Sequence, residues 1–197
     1  MSQNVETTYN PAENDDLIQA LQHAGVDVTA CYQCGRCSAG CPVADFFDLK
    51  PLQVVRMCCY GLEEPLLSSQ AIWLCASCET CTTRCPNDID IAAMMDVLRS
   101  RVLASRQRAA EPKIVAFHKS FLNSIKHHGR VFEVGMIAGY KFRTGDLFSD
   151  LGMGLQMIKR GKIKFTPHRI KGGKEVRSFF RRKKEVTKEE KNTSIVK

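Results

Sequence analysis

Eight cysteines fall into two copies of one pattern, C-x2-C-x2-C-x3-C-P: CYQCGRCSAGCP at 31–42 and CASCETCTTRCP at 75–86. Every member recurs 44 positions on, so Cys31, Cys34, Cys37, Cys41 and Pro42 match Cys75, Cys78, Cys81, Cys85 and Pro86. Three thiolates at two-residue spacing can wrap a short loop around one side of a compact tetrahedral group. The loop amides stay free to bond that group's sulfurs, which is the chemistry of a cubane [4Fe–4S] cluster. A residue before proline is held extended, and this turns Cys41 and Cys85 away from their own loops.

Paired motifs of this kind exchange their fourth ligands. The pattern therefore predicts one cluster held by Cys31, Cys34, Cys37 and Cys85, and another held by Cys75, Cys78, Cys81 and Cys41. Structural zinc on paired C-x2-C knuckles would leave one cysteine and one Cys-Pro idle in each copy. A disulfide framework fits poorly with a chain that opens on MSQNVETTYN, which has no basic or apolar signal region. Cys58 and Cys59 belong to neither motif; adjacent on a helix, they face different directions and read as small buried groups, with a redox role as the alternative. His127 and His128 read as a cationic helix C-terminus beside Gly129 rather than as ligands. Trp73 is expected to cover the downstream loop, and Met94 and Met95 read as core. No dinucleotide loop, P-loop, nucleophile elbow or acid–base pair appears, so catalytic residues are expected to be none.

The elements that must hold these loops read as helices throughout. Asn14, with Asp15 and Asp16 behind it, predicts a helix over 15–24 that Gly25 stops. Pro51 suits the first position of a helix that Gly61 closes, and Pro65 opens a segment running to Trp73 and Leu74. Ile91, Met94, Met95, Leu98 and Val102 share one stripe of a helix over 90–105. Ile114, Phe117, Phe121, Leu122 and Ile125 mark another over 113–127, and weaker patterns cover 131–142 and 146–160. No alternating strand run is present, so the fold class is all-α, with a helical C-terminal part and a basic tail. The expected organisation is a flexible lead at 1–13, a cluster domain at 14–105, a helical extension for subunit docking at 106–172, and a disordered tail at 173–197.

Across 197 residues, 44% apolar and 25% charged composition is that of a globular protein. The longest apolar run is six residues, Ala71 to Ala76, far below a membrane span. From Lys159 to Lys197 there are 15 Lys/Arg against 4 Asp/Glu, while residues 1–158 hold 14 against 17. The basicity thus belongs to the end of the chain, and a cytoplasmic location is expected.

With the twin motif, its 44-residue spacing, LKPLQVVRMCCYGL at 49–62 and IKRGKIKFTPHRIKG at 158–172, the chain resembles the small two-cluster C subunit of heterodisulfide reductase. The resemblance covers roughly 14–172. It implies an α-helical ferredoxin-like fold with two [4Fe–4S] clusters. It also implies two partners from the same complex: the cysteine-rich, catalytic B subunit, which reduces a disulfide, and the flavin-containing A subunit. The chain's role would be to relay electrons between them. One alternative is the iron–sulfur subunit of another respiratory or quinone-linked oxidoreductase. Another is an iron–sulfur nucleic-acid-binding redox sensor, prompted by the basic tail, although no nucleic acid is expected because the tail carries no recognisable DNA-binding motif. The same tail interleaves Val176, Phe179 and Phe180 with Arg177, Arg181 and Arg182, a pattern compatible with peripheral membrane contact.

Overall fold

A computed structural model describes residues 11–105, 107–146, 152, 156–157, 159–161, 170 and 172–182. The described residues contain helices and no strand. The chain divides into two compact units, Met1–Pro112 and Lys113–Lys197.

The first unit is built around α7 (Ile91–Ser105), whose side chains Ile91, Met94, Met95, Leu98 and Val102 are all buried. Asp90 starts this helix by accepting the Ala93 amide at 2.9 Å. On α7 pack α1 (Pro11–His23), α4 (Glu63–Leu67) and α5 (Ala71–Leu74), while α3 (Pro51–Cys59) packs on α1 and α4. They contribute Leu17, Leu21, Val54, Val55, Leu66, Ile72 and Trp73 to one core. The sequence places the start of α1 at Asp15. The helix instead begins at Pro11, a residue already fixed at helical φ, so Asn14 lies inside it.

Gly25 ends α1 at φ +79°. The Gly25 amide reaches the Gln22 carbonyl and the Val26 amide the Leu21 carbonyl, both at 2.9 Å, with Val26 and Leu21 buried together. Gly61 closes α3 through the same pair of bonds, to Cys58 and Met57. The segment after Gly61 is two short helices rather than one. Pro65 sits in the first turn of α4, and Ser68–Gln70 break the chain before α5. Arg101 of α7 ties the unit together. It grips Glu63 through two bonds of 2.6 and 2.8 Å and Asp16 at 2.6 Å, and these carboxylates hold its guanidinium firmly protonated.

In the second unit, α8 (Pro112–His128) and α9 (Glu133–Thr144) meet across small residues. Ser124 accepts the Phe132 amide at 2.8 Å, and Gly139 faces Ser120. The buried residues of α8 are Ser120 and Ser124, whereas Phe117 and Leu122 of the expected stripe stay 42% and 48% exposed. Gly129 ends α8 at φ +80°, and a β-carbon there would collide with Ile170. His128 turns its ring onto the Ser124 carbonyl at 3.1 Å, in keeping with a role at the helix end. Residues 173–182 are helical, against the disorder expected for them, and Arg177 anchors this helix by donating to the His127 carbonyl at 3.2 Å. The rest of the tail and most of the 146–160 pattern lie outside the described residues.

Candidate iron–sulfur centres

Both loops are built to one plan. In each, the residues on either side of the second cysteine adopt the left-handed conformation: Gln33 and Gly35 upstream (φ +56° and +76°), Ser77 and Glu79 downstream (φ +51° and +58°). Three of these four are not glycine, so their backbone is strained and must be held by its surroundings. The reversals curl the loop inward, and the Gln33 amide ends 3.3 Å from Cys31 Sγ. A short helix follows each reversal, α2 (Arg36–Gly40) and α6 (Thr80–Thr83). Three backbone bonds then recur 44 residues apart. Ala39 to Gly35 matches Thr83 to Glu79, Cys41 to Ser38 matches Cys85 to Thr82, and Ala44 to Cys41 matches Asp88 to Cys85. Cys41 itself is extended (φ −77°, ψ 121°), as a residue before proline should be.

The fourth cysteine of each copy is carried to the other loop. Cys31, Cys34, Cys37 and Cys85 line one cavity of about 360 Å³, counting its open mouth, and Cys75, Cys78, Cys81 and Cys41 line another of about 380 Å³. Residues that the motif does not point to enforce the crossing. Asn87, just after Cys85-Pro86, donates to the Ala30 carbonyl beside Cys31. Asp48, downstream of Cys41-Pro42, accepts from Ser69 Oγ at 2.8 Å, the Gln70 amide at 2.8 Å and the Ala71 amide at 2.9 Å, so it caps α5 immediately before Cys75. Burial acts to raise the Asp48 carboxyl, but these donors and the Leu49 amide outweigh it and hold it below its ordinary value. Within the upstream copy, Ser38 of α2 accepts the Leu52 amide at 2.9 Å and so fixes the start of α3.

The donor set fits iron–sulfur chemistry. All ten cysteines are free thiols. Among the described residues, no three His, Cys, Asp or Glu side chains converge closely enough for a single metal ion; each quartet rings a space instead. Burial raises Cys37 and its counterpart Cys81, so binding iron there releases firmly held protons, while the Thr80 hydroxyl at 3.4 Å from Cys78 Sγ lowers that exposed thiol. Arg36 and Asn87 upstream and Ser77, Glu79 and Thr80 downstream also line the cavities, and the backing walls are apolar. Leu52, Val55, Ile89 and Ile91 back the upstream cavity, and Val43, Phe47, Ile91 and Met95 the downstream one. Trp73 does not line it; the indole is buried in the core instead, and Phe47 covers the downstream site. Cys58 is fully buried, which pushes its thiol up, and Cys59 donates to the Val28 carbonyl at 3.1 Å.

Residues 27–89, which carry all eight cysteines of the two quartets, match the family described as 4Fe-4S dicluster domain, in keeping with two iron–sulfur clusters. The chain is similar to heterodisulfide reductase C subunits. It is 34% identical over 100 residues to the C subunit of the ferredoxin:CoB-CoM heterodisulfide reductase of Methanosarcina mazei, which covers 51% of this chain and 60% of that one. It is 31% identical over 121 residues to the second iron–sulfur C subunit of the CoB–CoM heterodisulfide reductase of Methanocaldococcus jannaschii, covering 61% of each. It is 29% identical over 101 residues to the C subunit of the H2:CoB-CoM heterodisulfide,ferredoxin reductase of Methanothermobacter thermautotrophicus, covering 51% and 55%. The chain thus spans about three fifths of the length of these relatives. These likenesses support an iron–sulfur electron-transfer role. No helix among the described residues is long and apolar enough to cross a membrane.

Proposed function

We propose that this chain relays single electrons within a heterodisulfide reductase-like complex, between a flavoprotein partner and a cysteine-rich partner that reduces a disulfide. The observation that carries the reading is the crosswise grouping of eight thiols into two cavities within one core. Cys31, Cys34, Cys37 and Cys85 would hold one cluster, and Cys75, Cys78, Cys81 and Cys41 the other. Each cluster, when bound, accepts and releases one electron. The protein's own contribution is to hold the thiols, curl amides toward the sulfurs and line the sites with apolar side chains.

The first unit is assigned to the clusters and the second to subunit docking. That division is supported by the contrast between the buried stripe of α7 and the exposed Phe117, Leu122, Ile137 and Phe142 of α8 and α9. A cytoplasmic location is part of the same proposal. Isolation of the tagged chain from its host without oxygen tests the reading. The expected result is about eight irons per chain, with a flavoprotein and a second cysteine-rich protein attached. Four irons or fewer, stoichiometric zinc, or nucleic acid as the partner would overturn it.

A further inference from the structure

The two halves of the repeat solve one local problem with different chemistry. Three residues before the first cysteine of each motif, a backbone carbonyl takes a side-chain donor: Val28 upstream, which also accepts the Cys31 amide at 3.3 Å, and Ile72 downstream. In both cases the donor is a side chain on the helix that follows the motif. Upstream it is the neutral thiol of Cys59 on α3, 3.1 Å from the Val28 carbonyl. Downstream it is Arg99 on α7, whose Nε donates to the Ile72 carbonyl. Cys59 and Arg99 are each the ninth residue of their helices.

Arg99 reaches further than its counterpart. A terminal nitrogen donates to the carbonyl of Cys75 itself at 2.6 Å, and its other terminal nitrogen approaches the Ser77 hydroxyl at 3.5 Å. A full positive charge therefore rests against a ligand residue of the downstream cluster, on a side chain only 14% exposed. Its ion-pair partner, Asp96 at 2.7 Å, is 66% exposed and solvated. Arg99 does not itself line the cavity; the charges that do, Arg36 upstream and Glu79 downstream, are exposed on the loops, where water and salt screen them. A half-buried charge acts across less solvent and is felt more strongly. Cluster potentials respond to nearby charge and to hydrogen bonding, and a positive charge favours the reduced, more negative state.

We propose that Arg99 is a positioning residue that raises the reduction potential of the downstream cluster selectively, and that the Cys59/Arg99 difference makes the two clusters electrochemically unequal. This rests on the two-cluster reading above. The test is an EPR-monitored redox titration of the full chain, prepared anaerobically with iron and sulfide. The signal lost in Cys78→Ser identifies the downstream cluster. Arg99→Gln should move that cluster to more negative potential and leave the upstream one in place, while Arg99→Lys, which keeps the charge, should recover most of the shift. Asp96→Asn alters only an exposed side chain and should move the downstream cluster the opposite way, to more positive potential. Equal shifts at both clusters, an unmoved downstream potential in a fully loaded Arg99→Gln protein, or a negative shift in Asp96→Asn would each overturn the proposal. Should Arg99→Gln fail to load, the sign in Asp96→Asn decides. Failure of the unaltered chain to hold two clusters would instead overturn the two-cluster reading.

Discussion

At the turn after its second cysteine, the upstream loop has Gly35 at φ +76° and the downstream loop has Glu79 at φ +58°. The backbone is the same; the residue asked to adopt it is not. Similar pairs run through the repeat. Gly40 upstream corresponds to Arg84 downstream, and the Arg84 side chain lies across the space that a β-carbon on Gly40 would take. The difference teaches that the cysteine spacing and the left-handed turns define the loop, while the intervening side chains are free to diverge. A cluster loop is specified by backbone geometry around its sulfurs rather than by the residues between them.

The largest test of this equivalence is to remove one fourth ligand at a time. Cys41→Ser should cost the cluster of the downstream loop, and Cys85→Ser that of the upstream loop. Each should halve the iron from about eight to about four and delete one EPR signal. Loss of the cluster on the variant's own side would show that the copies are self-contained.

Next come the crosswise ties. Asp48→Asn keeps the size but loses the charge that accepts three donors ahead of Cys75, and it should destabilise the protein by about 2–3 kcal/mol. Asn87→Ala removes one donor and should cost about 1 kcal/mol. Because Asp48 is held below its ordinary value, its contribution is complete above the unfolded carboxyl range and is lost only as pH falls through the lower, folded value. The melting-temperature gap between Asp48→Asn and the parent protein should therefore be flat from about pH 8 to about pH 5. A gap that narrowed within that window would show that Asp48 titrates there.

The smallest effects should have opposite signs at equivalent positions. Gly35→Ala meets no neighbour within 4 Å, so its cost is conformational alone, about 1 kcal/mol. Glu79→Gly relieves the same conformation and should stabilise by up to about 1 kcal/mol. Denaturant melts of the loaded protein would check both, and a matching sign would mean that the loops are less alike than their dihedral angles.

Much of this architecture is legible in the chain because local rules decide it. The α7 stripe, the Pro51 start and the Gly25 and Gly61 stops depend on neighbours a few residues away. The cysteine quartets are legible for a different reason: few groups other than an iron–sulfur cluster use that spacing. What escapes depends on segments distant in sequence. Trp73 lies two residues before Cys75, yet the downstream cavity is covered by Phe47, because the exchanged Cys41 brings its own flank of Val43 and Phe47 with it. No local pattern singles out Asp48 or Arg99, and only the fold turns Asp48 toward donors at the start of α5 and Arg99 toward the carbonyls of Ile72 and Cys75. The period of the α8 stripe points to core, but α9 packs instead on Ser120 and Ser124.

The crossing of Cys41 and Cys85 also has a consequence for how the molecule is born. While the ribosome is still producing residues before Cys75, the emerging polypeptide offers three of the four sulfurs one nest requires and only one of those the other requires. The downstream nest has its full set only when residue 81 has left the exit tunnel, and the upstream nest only when residue 85 has. On the two-cluster reading, neither metal cargo can be fully seated before the second half of the repeat has emerged.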